Sequence, residues 1–108
     1  MNVEHLMKMV NEEWVFDKIN YTPMKSMSQK EKRLFAIEHV LKHQTKALAK
    51  AIETLERFEH GTLLDEEKLR LSVRNFFINT LRLADIVGIS PKELAGDVQQ
   101  WADEKYKP

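Results

Sequence analysis

Hydrophobic residues recur every three or four positions along most of this 108-residue chain, with polar and charged residues between them. This spacing places side chains on one face of an α-helix. It predicts four amphipathic helices over residues of about 2–20, 29–58, 65–87 and 91–105, and no segment has the strict alternation of a β-strand. The sequence therefore predicts a single all-α domain over residues 1–108, a four-helix bundle with one long central helix.

Capping residues mark the boundaries of these predicted helices. Ser28 and Ser90 are each followed three residues later by a glutamate, which is the capping-box arrangement at a helix start. Gly61 and Gly88 follow the second and third helices, where glycine favours a left-handed C-terminal cap.

The long second helix has apolar residues on two flanks. At about 100° per residue, its large residues form a stripe that we expect to be core: Leu34, Ile37, Leu41, Leu48, Ile52 and Leu55. A second flank of smaller residues comprises Ala36, Val40, Ala47 and Ala51. The expected buried face of the third helix is Leu69, Val73, Phe76, Phe77, Leu83, Ala84 and Val87. One short bundle does not cover both flanks of the long helix, so we expect a homodimer.

Composition and charge exclude several function classes. The 17 basic residues balance the 17 acidic ones, so no overall field recruits nucleic acid, which we consider an unlikely partner. Cysteine is absent, which excludes thiolate metal sites and cysteine nucleophiles. The three glycines lie far apart and form no phosphate-binding loop. Apolar runs are only a few residues long and the start does not resemble a signal peptide, so we expect no membrane association and a cytoplasmic location.

The start of the second helix carries a local excess of positive charge. Residues 25–50 contain Lys25, Lys30, Lys32, Arg33, Lys42, Lys46 and Lys50 against Glu31 and Glu38. Such a run is common on the solvated face of a long helix. It is also suited to a phosphate-bearing ligand or an acidic partner.

Two histidines and a group of amides are the other candidate functional side chains. His39 and His43 are four residues apart, close enough on a helix to share a metal ion, but no third ligand is indicated and we expect edge or solvated histidines. Polar residues lie on one flank of the third helix and within the apolar stripe of the second: Ser72, Asn75, Asn79 and Gln44. Buried amides need partners, so they either bond one another or line a small polar pocket.

The candidate ligand-binding residues are therefore His43, Gln44, Lys46, Lys50, Ser72, Asn75 and Asn79. We predict no catalytic residue and no metal ligand.

Residues 83–94, Leu-Ala-Asp-Ile-Val-Gly-Ile-Ser-Pro-Lys-Glu-Leu, resemble the junction between the third and fourth helices of MazG-like all-α nucleoside triphosphate pyrophosphohydrolases. The Lys105-Tyr106 pair is similar to the pair that closes the last helix of that family, and residues 41–52 resemble its second helix. The resemblance covers roughly half of the chain. It implies a helical bundle that assembles as dimers or tetramers and uses Mg²⁺ to cleave nucleotides between the α- and β-phosphates.

The resemblance also implies where magnesium ligands belong. Family members hold Mg²⁺ through a Glu-Glu-x-x-Glu segment on the second helix and a Glu-x-x-Asp segment on the third. These positions fall on His43, Gln44, Ala47, Ser72 and Asn75, and none is a carboxylate. Because Mg²⁺ requires hard, mostly anionic oxygen ligands, we expect a MazG-like protein without a cofactor, acting as a non-catalytic nucleotide-binding or regulatory module.

Two alternatives stay open at this point. One is an active Mg²⁺-dependent pyrophosphohydrolase with displaced ligands, for which Glu38 and Glu67 are candidates. The other is a helical adaptor that binds a partner protein through an amphipathic groove.

Overall fold

The computed structural model describes residues 2–17 and 19–108. Over these residues the chain folds into four α-helices and one short 3₁₀ helix, without a β-strand. The helices are α1 (Val3–Glu13), the 3₁₀ helix (Thr22–Ser26), α2 (Gln29–Glu59), α3 (Glu66–Ile86) and α4 (Pro91–Lys105). The predicted all-α class and the four helices are confirmed.

None of the helices in the described ranges is both long and apolar enough to cross a membrane.

The predicted helix boundaries agree with the caps that the structure shows. Ser28 Oγ accepts a hydrogen bond from the backbone of Glu31 at 3.2 Å, and the Glu31 carboxylate accepts one from the Ser28 amide. Ser90 caps α4 with the same reciprocal pair. Gly61 and Gly88 have φ angles of 94° and 81°, a conformation that side chains with a Cβ rarely adopt.

The first helix is shorter than predicted, since α1 ends at Glu13 rather than near residue 20. The Asp17 carboxylate accepts hydrogen bonds from the amides of Ile19 and Asn20 at 3.0 and 2.8 Å. Such a side-chain turn competes with helical hydrogen bonds. The predicted helix also included Lys18, which lies outside the described residues.

Helices α2 and α3 form a hairpin, and α1 and α4 pack at the end of α3 that lies farther from the hairpin loop. A small core joins α1 to α3, and its buried members are Met7, Val10, Leu81 and Ala84. Half-buried apolar residues surround it: Val3, Leu6, Ile78, Ile89 and Leu94. Trp14 and Phe16, which follow α1 directly, contact Arg82 on one face of the hairpin.

Five of the six residues expected as the core stripe of α2 lie on the surface instead, whereas Ile37 is half-buried. These five, Leu34, Leu41, Leu48, Ile52 and Leu55, are 44–53% exposed, and the buried residues of α2 are Ala36, Val40, Ala47 and Thr54. On α3, Val73, Phe76 and Phe77 are likewise exposed, whereas Ala84 is buried as expected. Leu69, Leu83 and Val87 are half-buried. Small side chains let two helices approach closely, so α2 and α3 meet along the small-residue flank.

Candidate functional site

A cavity of about 400 Å³ lies between α2, α3 and the segment that follows α1. This volume is within the usual range for small-molecule sites. The cavity is lined by Trp14, Tyr21, His43, Lys46, Ala47, Lys50, Asn75, Ile78, Asn79 and Arg82. Among these described lining residues there are four basic side chains and no Asp or Glu.

The two helices contribute to this cationic cavity with the same spacing. The residues at 43, 46, 47 and 50 come from α2, and those at 75, 78, 79 and 82 come from α3. Steps of three, one and three place side chains on one helix face. The sequence therefore brings these eight positions together once α2 and α3 pair along these faces.

Arg82 is buried in the wall of the cavity, with 5% of its surface exposed. Its Nη1 donates a hydrogen bond to Asn79 Oδ1 at 3.3 Å, while Nε and Nη2 have no acceptor among the described residues. A buried charge without a counter-charge is strongly unfavourable, and each unpaired donor adds a desolvation cost. The guanidinium therefore calls for an anionic acceptor that the described residues do not supply.

Aromatic rings offset part of this cost. The guanidinium carbon of Arg82 lies 4.9 Å from the centre of the Phe16 ring and 5.7 Å from that of Trp14. Such cation–π contacts stabilise a cation by roughly 0.5–2 kcal/mol. They hold the guanidinium in place but provide no acceptor for its N–H groups.

His43 and His39 form a hydrogen-bonded pair beside Arg82. Their Nε2 atoms are 3.0 Å apart, so one ring donates and the other accepts. Burial, and then the charges of Arg82 and Lys46, lower the pKa of His43. Burial, followed by the charges of His43 and Arg82, lowers the pKa of His39. Both rings are therefore mainly neutral near pH 7. A negatively charged ligand in the cavity would raise their pKa and favour the uptake of a proton.

His39 is half-buried rather than solvated. Its ring stacks on Phe35 and meets Phe16 and Tyr21 edge to face, with centroid distances of 4.9–6.0 Å. These ring contacts fix the orientation of the His39 side chain, which bonds to His43. His43 itself lies at the edge of the small-residue flank, as expected from the sequence.

The structure brings five of the seven predicted ligand-binding residues to the cationic cavity: His43, Lys46, Lys50, Asn75 and Asn79. Gln44 lies elsewhere, because its Nε2 donates to Thr80 Oγ1 at 2.9 Å and to the Phe76 carbonyl at 3.4 Å. It links α2 to α3. Ser72 Oγ donates to the Lys68 carbonyl at 2.9 Å and lines neighbouring cavities.

The amides of α3 are partly occupied by their own helix. Asn79 Nδ2 donates to the Asn75 carbonyl at 2.8 Å, and its Oδ1 accepts from Arg82. Asn75 Oδ1 accepts from the guanidinium of Arg74 at 3.1 and 3.2 Å. The Asn75 Nδ2 group has no such bond among the described residues, so it is the amide donor best placed to serve a ligand.

A second cavity of about 330 Å³ shares Lys50 and Asn75 with the first. Its other lining residues are Glu53, Thr54, Lys68, Leu71 and Ser72. The Glu53 carboxylate pairs with Arg57 at 2.6 Å, which partly neutralises it. The two cavities are therefore neighbours, with Lys50 in both linings and Lys68 in the second.

Sequence reasoning missed Arg82, Trp14 and Tyr21. The polar flank Ser72, Asn75 and Asn79 continues at the same spacing to residue 82, which is the signal that identifies Arg82. Trp14 and Tyr21 lie outside regular α-helix, so helical periodicity does not place them.

The lining residues do not fit magnesium. Within residues 2–17 and 19–108, no group of three or more His, Asp or Glu side chains is placed to hold a metal ion. The lining donors of the cationic cavity are cations, amides and a phenol, whereas Mg²⁺ selects carboxylate and phosphate oxygens. Glu38 lies on the outer surface of α2 beside Lys42, and Glu67 lies in the first turn of α3, so the two displaced candidates are at opposite ends of the hairpin.

A scan against protein-family models and searches of curated proteins and solved structures found no match to this chain. The resemblance to MazG-like proteins stays a prediction.

Proposed function

We propose that this protein is a MazG-like, non-catalytic module that binds a nucleoside phosphate directly, without a metal ion, in the cationic cavity. One observation carries the proposal: Arg82 is buried in the cavity wall, and the described residues provide neither an acceptor for two of its N–H-bearing nitrogens nor a carboxylate in the cavity lining. An arginine in this situation matches the forked geometry of phosphate oxygens.

Three further basic side chains support phosphate binding. Lys46 and Lys50 of α2 line the cavity together with His43, whose pKa is lowered by burial and by the charges of Arg82 and Lys46. In MazG-like enzymes a magnesium ion neutralises the triphosphate. Here the protein's own cations take that role, which agrees with neutral residues at the expected ligand positions.

The aromatic residues of the cavity favour a nucleoside over a bare phosphate. Trp14 is 44% exposed and Tyr21 half-buried, and both line the cavity beside the cations. A planar base stacks favourably on such rings, by roughly 1–3 kcal/mol in single-stranded complexes. The adjoining second cavity gives room for an elongated ligand.

Tryptophan fluorescence tests this proposal. The chain has two tryptophans, and Trp101 lies on α4, outside the cavity lining. In a Trp101→Phe background, titration with ATP, dCTP and dUTP in EDTA reports on Trp14 alone. We expect saturable binding below millimolar concentration, weakened at least tenfold by Lys46→Gln combined with Lys50→Gln.

The matched control is Lys30→Gln combined with Lys32→Gln, which removes the same charge from the first turn of α2, outside the cavity. It should leave affinity within about twofold. Absence of binding by all three nucleotides at millimolar concentration contradicts the proposal. So does release of pyrophosphate with Mg²⁺ or Mn²⁺ that is lost in Glu38→Gln or Glu67→Gln, which supports the hydrolase alternative.

A further inference from the structure

We propose that Asn79 is a positioning residue of the cationic cavity: it holds the Arg82 guanidinium so that the Nε–Nη2 edge is kept for one phosphate group of the ligand. This role rests on the proposed function, since it matters only if a phosphate occupies the cavity. Asn79 then acts through Arg82 and not by touching the ligand itself.

The hydrogen-bonding groups of Arg82 are used unevenly. Nη1 donates to Asn79 Oδ1 at 3.3 Å, whereas Nε and Nη2 are buried and have no acceptor among the described residues. Nε and Nη2 lie on the same edge of the planar guanidinium, where their N–H bonds point the same way. Two such N–H groups match two oxygens of one phosphate. The unsatisfied donors therefore form one complete binding edge.

The Asn79 amide determines which edge stays unpaired. Asn79 is 7% exposed, and its Nδ2 donates to the Asn75 carbonyl at 2.8 Å. With Nδ2 held in this way, Oδ1 is the amide atom that faces Arg82, three residues further along α3. The reverse amide orientation would set two donor groups against each other. Asn79 therefore engages Nη1 and leaves the opposite edge free.

An amide accepts this hydrogen bond without neutralising the cation. A carboxylate of the same shape at residue 79 would form a charge-assisted bond with Arg82 and cancel the charge that attracts a phosphate. The rings of Phe16 and Trp14, which also contact the guanidinium, leave its charge intact as well. The surroundings of Arg82 thus orient the guanidinium and preserve its positive charge.

The same two aromatic residues cover the buried guanidinium in the ligand-free protein. The ring centres of Phe16 and Trp14 lie 4.9 and 5.7 Å from the guanidinium carbon. Both residues follow α1 and belong to neither helix of the hairpin. Their side chains can therefore change rotamer to admit a phosphate while α2 and α3 stay paired.

Two substitutions at residue 79 separate a positioning role from a structural one. Asn79→Ala removes the acceptor, so we expect the affinity for ATP in EDTA to fall by about tenfold. Asn79→Asp keeps an acceptor of the same shape but pairs its charge with Arg82, so we expect a fall of about 100-fold. The Asp variant should nevertheless unfold at a higher temperature than the Ala variant, because its charge compensates the buried guanidinium. Calorimetric titration and thermal unfolding measure the two rankings, which would agree if Asn79 served folding alone.

The matched control is Asn11→Ala on α1. Asn11 Nδ2 also donates to the carbonyl four residues earlier at 2.8 Å, so this variant removes the same kind of helix bond outside the cavity lining. It should leave the affinity for ATP within about twofold. If ATP binds the wild-type protein and Asn79→Ala binds it as tightly as Asn11→Ala does, the positioning role is wrong and the proposed function stands. Tighter binding by Asn79→Asp than by Asn79→Ala also overturns the positioning role.

A second measurement keeps the test decisive if the variants at residue 79 do not fold. The chain has five arginines, and in ¹⁵N–¹H spectra the Nε–H signal of Arg82 is the one that Arg82→Lys lacks. Inorganic phosphate should shift this signal to saturation in wild-type protein. A signal that does not move while phosphate binds overturns the inference. Saturation by phosphate without binding of any nucleotide supports the Arg82 edge and rejects the nucleoside part of the proposed function.

Discussion

Both sides of the α2–α3 hairpin depart from the usual pattern of buried apolar and exposed polar side chains, and they do so in different ways. On one side a guanidinium and two amides are buried or half-buried around a cavity whose described lining includes no carboxylate. On the other side leucines and phenylalanines are about half exposed. Buried unpaired charge and large exposed apolar patches are the two deviations that carry information about binding.

The same pair of helices is incomplete on both sides, and each side needs a chemically different partner. Among its described lining residues the cationic cavity has no negative charge, and the proposed nucleoside phosphate would supply it. The exposed leucines and phenylalanines on the other side, which we call the apolar face, are left uncovered by the described residues, and the predicted homodimer would cover them: Leu34, Leu41, Leu48, Ile52 and Leu55 of α2 with Val73, Phe76 and Phe77 of α3.

The largest expected effect comes from Arg82→Met, which removes the buried charge and keeps most of the volume. We expect nucleotide affinity to fall by about 100-fold, since a charge-assisted bidentate contact is lost. The ligand-free protein should become more stable by about 1–3 kcal/mol, because an unpaired buried charge is replaced by an apolar side chain. Binding titrations and urea unfolding measure the two changes.

Lower affinity together with higher stability in Arg82→Met would show that Arg82 serves binding and destabilises the ligand-free fold. A loss of both affinity and stability would show instead that Arg82 is an ordinary structural residue. Arg82→Lys should recover part of the affinity, since it restores the charge without the fork.

Thermal unfolding should depend on protein concentration if the apolar face is covered by a second copy. Because dimerisation stabilises only the folded chain, we expect the midpoint to rise by several degrees over a hundredfold range of concentration in wild-type protein. The same rise is expected in the control Val98→Glu, because Val98 is exposed on α4, away from the apolar face. Leu48→Glu should show a midpoint that is independent of concentration. Scanning calorimetry at several concentrations makes the measurement.

Affinity for sulfate, which does not titrate near neutral pH, should increase as pH falls from about 7.5 to about 5.5. Burial and the charges of Arg82 and Lys46 hold the pKa of His43 below its ordinary 6.5 in the free protein, and a bound dianion raises it. The complex then takes up a proton, so binding strengthens as pH falls and levels off below the free protein's pKa.

The increase is at most tenfold per pH unit for one proton. His43→Gln should flatten the profile in calorimetric titrations, and an unchanged profile in this variant would show that His43 is not the group that titrates. Without ligand, the same lowered pKa makes the folded protein less stable as pH falls below about 6.5, because the unfolded chain binds the proton more readily.

The smallest expected effect is the coupling between the two sides. Leu48→Glu should leave nucleotide affinity within about twofold, and Arg82→Met should leave the dimer intact, because the two residues line different cavities. A large change in either cross-measurement would show that the two sides of the hairpin form one site.

Local sequence predicted the helix starts and ends where a side chain or a glycine caps the backbone, as at Ser28, Ser90, Gly61 and Gly88. It failed at the end of α1, where the Asp17 turn competes with helix. The competing hydrogen bonds come from the Asp17 side chain, and the spacing of apolar residues gives no information about them.

Periodicity predicted which residues share a face but not which face is buried within one chain. The leucine stripe of α2 has the stronger apolar pattern, yet Ala36, Val40 and Ala47 are the buried residues. Hydrophobicity alone does not distinguish a core from an interface with another copy, because both need apolar surface. The polar cavity was partly anticipated, because Asn75 and Asn79 on a packed flank need hydrogen-bond partners and indicate either mutual bonding or a pocket.

Ala47 borders both the cationic cavity and a groove between α2 and α3 on the apolar face. Its methyl group therefore lies between two depressions of different chemical character, one lined by cations and one without charged residues. Any larger side chain there would wedge the helices apart, so ligand capture and self-association would be damaged together by a substitution that touches neither ligand nor partner directly.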